Sequence, residues 1–83
     1  MDQLARTPRQ LGTILQRRRK KLGMSQEDLA TRIHLRQGTI SALENAAKDT
    51  RLDTVFHALA ALNLELVVRG RTKGSDQQIE DLF

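Results

Sequence analysis

Up to residue 62, apolar side chains recur three and four positions apart, the spacing of one helix face. Leu11, Ile14, Leu15 and Leu22 follow Thr7-Pro8-Arg9-Gln10, a helix start in which Thr7 accepts from an orphan N–H, Pro8 suits the first turn and Gln10 reaches back. The pattern predicts a first helix near 8–21, closed by Gly23, which enters a left-handed cap freely. Ser25, followed by Glu27 and Asp28, opens a second helix with Leu29, Ala30 and Ile33 inward. After the connection His34-Leu35-Arg36, a third helix near 37–45 turns Ile40 and Leu43 inward and Gln37, Thr39 and Ser41 outward. Ala46-Ala47-Lys48-Asp49 then loops to Thr50, expected as the cap of a fourth helix near 51–62. That helix is expected to bury Leu52, Val55, Phe56, Leu59, Ala60 and Leu62.

Beyond Asn63 the period changes to two. Residues 64–69 read as a strand ended by Gly70, with Leu64, Leu66 and Val68 on one face and Glu65, Val67 and Arg69 on the other. The sequence offers no second strand. A lone strand packed as an edge against its own helices keeps a row of unpaired backbone groups, whereas pairing with the same strand of a second copy satisfies them. Leu64, Leu66, Val67 and Val68 are therefore expected at a homodimer seam. Residues 1–70 would form one domain. Residues 71–83, polar until Ile79, Leu82 and Phe83, would be a flexible acidic tail.

Charge sharpens the picture. The 83 residues carry 14 Lys+Arg and 10 Asp+Glu, a net charge of +4. Residues 1–48 hold ten basic and four acidic side chains, whereas 72–83 hold Lys73 against Asp76, Glu80 and Asp81. A basic body suits a polyanion, and its densest cluster is Arg17-Arg18-Arg19-Lys20-Lys21. With two Phe and no Trp or Tyr, the chain lacks the aromatic platforms that stack single-stranded bases. With no Cys it has neither disulfides nor thiolate metal ligands. No apolar run approaches the roughly 20 residues of a membrane span, and the N-terminus has no apolar signal region, so a cytoplasmic protein is expected. His34 and His57 stand apart without an acidic cluster, and Thr39 and Ser41 have no nearby base. No catalytic residue, metal, cofactor or small-molecule substrate is expected.

Two short helices joined by a three-residue connection must cross steeply, which makes a helix-turn-helix. The second of them fits a major groove about 12 Å wide and can read base edges in double-stranded DNA. Its candidates are Arg36, Gln37, Thr39 and Ser41, while Gly38 and Ala42 keep the face low. Gln pairs bidentately with adenine and Arg with guanine. Arg17, Lys20, Asn45 and Lys48 are candidates for phosphate contact, the alternative for the first two being a solvated helix face.

Residues 24–45 resemble the helix-turn-helix of the lambda-repressor-like, or Xre, regulators through Ser25-Gln26, Leu29-Ala30, Ile33, Thr39-Ile40-Ser41 and Glu44-Asn45. The resemblance spans roughly residues 8–62. It implies a mainly α bundle of four to five helices, in which Gln26 braces the recognition helix and touches phosphate. It places Gln37, Gly38, Thr39 and Ala42 in the groove and pairs Arg19 with Glu44 as a structural ion pair. His34 and Ala46 stand where the family usually has Gly, and Arg18 stands at a place often apolar, where its stem would cover the core edge. The strand directly after the last helix, the polar tail and Arg36-Gln37-Gly38-Thr39-Ile40-Ser41 are similar to the HipB-type antitoxins. That similarity implies a dimer that binds operator DNA as a repressor and holds a HipA-type serine/threonine kinase toxin by protein–protein contact. A stand-alone regulator of the same fold, or an adaptor that does not read DNA, are the competing expectations.

Overall fold

The computed structural model describes residues 2–71, and its described residues form four helices: α1 Pro8–Lys21, α2 Gln26–Arg32, α3 Gln37–Glu44 and α4 Leu52–Ala61. Each start has a local cause or lacks one. Thr7 caps α1 by accepting from Gln10 N at 3.1 Å, with Pro8 in the first turn; the Gln10 amide reaches back to the N–H of Arg6. Ser25 and Asp28 form a reciprocal capping box on α2, Asp28 N donating to Ser25 Oγ at 3.0 Å and Ser25 N to Asp28 Oδ2 at 2.9 Å. α3 and α4 start at Arg36 and Arg51 without a side-chain cap.

The ends follow one rule. Gly23, His34, Ala46 and Asn63 stand one residue past the helix caps at φ 75°, 60°, 61° and 59°. In each case the next N–H bonds the carbonyl five residues back: Met24 to Arg19, Leu35 to Ala30, Ala47 to Ala42 and Leu64 to Leu59, at 2.8–3.1 Å. These are Schellman closures, and they satisfy carbonyls the helix leaves orphaned. The positive φ expected at His34 is present, and Ala46 exits α3 in the same way.

α3 packs on both α1 and α2, and α2 also meets α4. Leu15, Leu29, Ala30, Ile40, Leu43, Ala58, Leu59 and Leu62 form the core, with Leu11, Met24, Ile33, Val55, Ala61 and Leu64 packed around it. Helix α1 comes so close to α3 that a Cβ on Gly12 would overlap the carbonyl oxygen of Glu44. Arg18 is half-buried, and its Nε donates to the Leu62 carbonyl at 2.9 Å, so its side chain closes the end of α4.

The fourth helix corrects four expectations. Thr50 does not cap it; its hydroxyl donates instead to the Ala47 carbonyl at 3.1 Å, and Arg51 takes the cap position. Leu52 and Phe56, expected in the core, are 69% and 45% exposed, and Ala60 is exposed with them. The buried stripe is Thr54, Ala58, Leu59 and Leu62, so the helix is rotated about its axis relative to the expectation.

Within the single chain, residues 64–70 form no strand. A strand requires a ladder partner, and the described residues supply none. Leu64 packs on the core, whereas Leu66, Val67 and Val68 are exposed. Of the expected tail, residues 72–83 lie outside the described residues.

Candidate nucleic-acid interface

The α2–turn–α3 unit presents one side of α3 to solvent. Ile40, Leu43 and Glu44 are buried, and at 100° per residue the opposite side carries Gly38, Ser41, Ala42 and Asn45. Gln37 and Gly38 are exposed, and Thr39, Ser41 and Ala42 are half-buried. A Cβ on Gly38 would meet nothing within 4 Å, so its absence leaves the face open rather than relieving a contact. Asn45 Nδ2 donates to the Ser41 carbonyl at 2.9 Å and lies near Ser41 Oγ at 3.4 Å, which turns that amide along the helix. Arg36 stands exposed at the N-cap of α3. Arg17, Lys20 and Lys48 are exposed outside the α2–α3 unit.

Four candidate residues are joined in one network that runs from the interior to this face. Arg19 and Glu44 pair in a fork, Nε to Oε2 at 2.7 Å and Nη2 to Oε1 at 3.1 Å, with side chains 6% and 1% exposed. Arg19 Nη1 donates to the Met24 carbonyl at 2.7 Å, so the guanidinium also holds the α1–α2 turn. The hydrogen bond to Glu44 and its negative charge raise the Arg19 pKa against the opposing effect of burial. Glu44 Oε1 accepts a further bond from Gln26 Nε2 at 3.0 Å. Gln26 Oε1 in turn accepts from Gln37 Nε2. No buried side-chain polar atom among the described residues is left without a partner. The chain α1–α3–α2–α3 therefore ends on Gln37, an exposed amide with one N–H and its oxygen still available.

Three contributors escaped the reading of the sequence, the Met24 carbonyl, the Leu62 carbonyl under Arg18, and Gly12; the two carbonyls carry no signal in the sequence. Gly12 had a usable signal, since a glycine inside a helix is unfavourable by roughly 1 kcal/mol and marks a close approach. Among the described residues no helix is long and apolar enough to cross a membrane. No group of three or more metal-ligating side chains is found there either.

Residues 15–68 match the helix-turn-helix family. Antitoxin HipB of Escherichia coli K12 is 32% identical over 74 residues, covering 89% of this chain and 84% of that protein. The chain belongs to the HipB-type antitoxins of the helix-turn-helix family. The same identity recurs in antitoxin HipB of Escherichia coli O6:H1, over 89% of this chain and 79% of that protein. Solved family members superpose closely. A HipB–O4 20mer complex gives a TM-score of 0.79 at 32% identity, over 86% of this chain and 100% of that one. A HipA–HipB–O2–O3 complex gives the same TM-score, identity and coverages.

Proposed function

We propose that this chain is a dimeric, sequence-specific repressor of double-stranded operator DNA that also serves as the antitoxin of a HipA-type serine/threonine kinase. It regulates its own operon and restrains the kinase by contact, with no chemistry of its own. The observation that carries the reading is the exposed α3 face, with Gln37 held at its edge, in a chain 32% identical to HipB over 74 residues. Relatives solved as a HipB–O4 20mer complex and as a HipA–HipB–O2–O3 complex support both kinds of partner.

In this reading Arg36, Gln37, Gly38, Thr39, Ser41 and Ala42 lie against base edges. Gln26, Arg17, Lys20, Asn45 and Lys48 meet phosphates and supply the salt-dependent part of the affinity. Residues 1–70 are the folded unit, and its segment 64–69 pairs with the same segment of a second copy through Leu64, Leu66, Val67 and Val68. The two α3 helices then stand about 34 Å apart, one helical turn of DNA, facing a palindromic site. Residues 71–83 serve the kinase rather than the DNA.

Co-expression with the kinase-like product of a neighbouring gene, followed by affinity purification and a duplex-binding titration at physiological salt, tests this. One complex that holds the kinase and still binds operator duplex is the expected outcome. Operator binding without kinase capture would reduce the protein to a stand-alone regulator, and neither activity would overturn the reading.

A further inference from the structure

The outer stripe of α4 has no part in the reading above, and the apolar side chains near the end of the sequence, Ile79, Leu82 and Phe83, have no surface of this molecule assigned to them. We infer that the two meet: the segment 79–83 docks in a groove between the ends of α2 and α4. Such docking goes beyond the proposed function and does not depend on the kinase.

The groove has a volume of about 500 Å3 and is lined by Arg32, Ile33 and His34 at the end of α2 and by His57, Ala60 and Ala61 on α4. The fold thus brings together two histidines that stand far apart in the sequence. Ile33, Ala60 and Ala61 make the floor apolar. Phe56 and Leu52, 45% and 69% exposed, precede Ala60 by one and two turns, so apolar surface continues from the groove along α4. The rim is a guanidinium and two imidazoles, and no lining residue is acidic. The acidic side chains of both helices stand at their opposite ends, Glu27 and Asp28 in the first turn of α2 and Asp53 in that of α4. The helix ends themselves add little negative charge. The carbonyls of Ala30, Thr31, Leu59 and Ala60 accept from the turns that close the helices, and that of Leu62 accepts from Arg18.

Ile79-Glu80-Asp81-Leu82-Phe83 has the complementary chemistry, three large apolar side chains for the floor and stripe and two carboxylates for the rim. Arg32 pairs with a carboxylate, and each imidazole, neutral or charged, offers one an N–H. The reach suffices. Arg71 lines a second cavity beside Leu59 and Asn63, on another face of the same end of α4. Residues 72–79, fully extended, span at most about 26–29 Å, against 27 and 16 Å for the two shorter dimensions of the molecule. In the proposed function the same tail serves the kinase, so kinase and groove compete for it.

Nuclear magnetic resonance on the full-length, isotope-labelled protein without the kinase tests the docking. Cross-peaks between the Phe83 ring protons and the Ala60 methyl are expected. In the double variant Leu82→Ser, Phe83→Ser, the amide resonances of residues 32–34 and 57–61 should shift while those of α1 and α3 stay in place. Ala60→Glu and His57→Glu, both at exposed positions, set a carboxylate where the tail brings its own. Each should abolish the cross-peaks and leave the helical circular-dichroism signal unchanged; should one lose that signal, the other decides. Groove resonances that ignore the double variant overturn the inference. So do tail contacts that map to Leu11 and Ile14 in the cavity beside Arg71, or that persist undiminished in the glutamate variants.

Discussion

Ala46 closes α3 at φ 61°, where a Cβ is unfavourable and glycine is not. Its N–H bonds the Leu43 carbonyl at 3.2 Å and the next N–H bonds Ala42, so the surroundings hold the residue there despite the strain. Ala46→Gly should relieve that strain and lose part of the gain to the freer unfolded chain, for a net stabilisation of about 0.5–1 kcal/mol. In a domain of this size that is a rise in Tm of about 2–8 °C, readable by calorimetry, and a fall in Tm would show that the backbone is not strained. Gly12 gives the opposite case. A Cβ there would overlap the Glu44 carbonyl oxygen and lie 3.0 Å from that of Leu43, both backbone atoms that cannot rotate away. Gly12→Ala gains helix propensity but must push α1 off α3, so we expect a net loss of about 1–3 kcal/mol in urea unfolding. A stabilised variant would mean that the two helices separate at no cost.

At the scale of the elements, what the sequence predicts well is where helices begin and end. Thr7-Pro8, Ser25 with Asp28, Gly23 and Asn63 all act through bonds within a few residues, so local chemistry decides them. The rotation of α4 was not legible for a physical reason. Leu52, Val55, Phe56, Ala58, Leu59, Ala60, Ala61 and Leu62 surround most of the helix, and an apolar pattern on every side has no phase. Packing chose the side of Thr54 and Ala58 and left Phe56 outside. Likewise, the candidate residues could be named from their types and order, but the relay from Glu44 to Gln37 depends on how α2 sits on α3. Two tests belong to this scale. In the α2 capping box, the Ser25 backbone N–H and then its hydroxyl hold the Asp28 carboxyl below its ordinary value of 3.8. A lowered folded-state pKa contributes stability that is complete above 3.8 and fades as the pH falls through the lowered value. Wild type should therefore lose Tm more steeply than Asp28→Asn as melts are taken from about pH 5 to pH 2, and parallel curves would remove the capping box from the acid response. In α3, Glu44→Ala leaves the buried Arg19 guanidinium without its carboxylate, a change that costs about 3–5 kcal/mol. Against a total stability of about 5–15 kcal/mol this is a large fraction, and an unchanged urea midpoint would show that the fork contributes nothing net.

For the whole molecule, the main open feature is the apolar surface that one chain leaves uncovered. Leu66, Val67 and Val68 are 52%, 65% and 85% exposed in succession on a segment that joins no sheet. Leu64 anchors the start of that segment to the core and also closes α4, its N–H bonding Leu59 at 2.8 Å. The segment is thus held at one end by the fold and joins no ladder among the described residues beyond it, which in the proposed dimer leaves it free to pair with a second strand. A second copy supplies an identical edge, and an antiparallel pair about a two-fold axis satisfies both at once. In the proposed dimer the seam beyond Leu64 lies outside the core, so dimerisation and folding would be separable by mutation. Leu66→Pro removes a backbone donor from the middle of the segment and restricts its neighbour, while touching none of the buried residues. The variant should keep a cooperative melt and the helical circular-dichroism signal of the wild type. In sedimentation it should be a monomer. Its affinity for a palindromic duplex should fall steeply, because one half-site contact no longer assists the other, while binding to a single half-site changes little. A variant that remains dimeric, or that loses half-site and full-site binding equally, would place the two-fold contact elsewhere. The exposed Leu52–Phe56 stripe of α4 would then be the next surface to substitute.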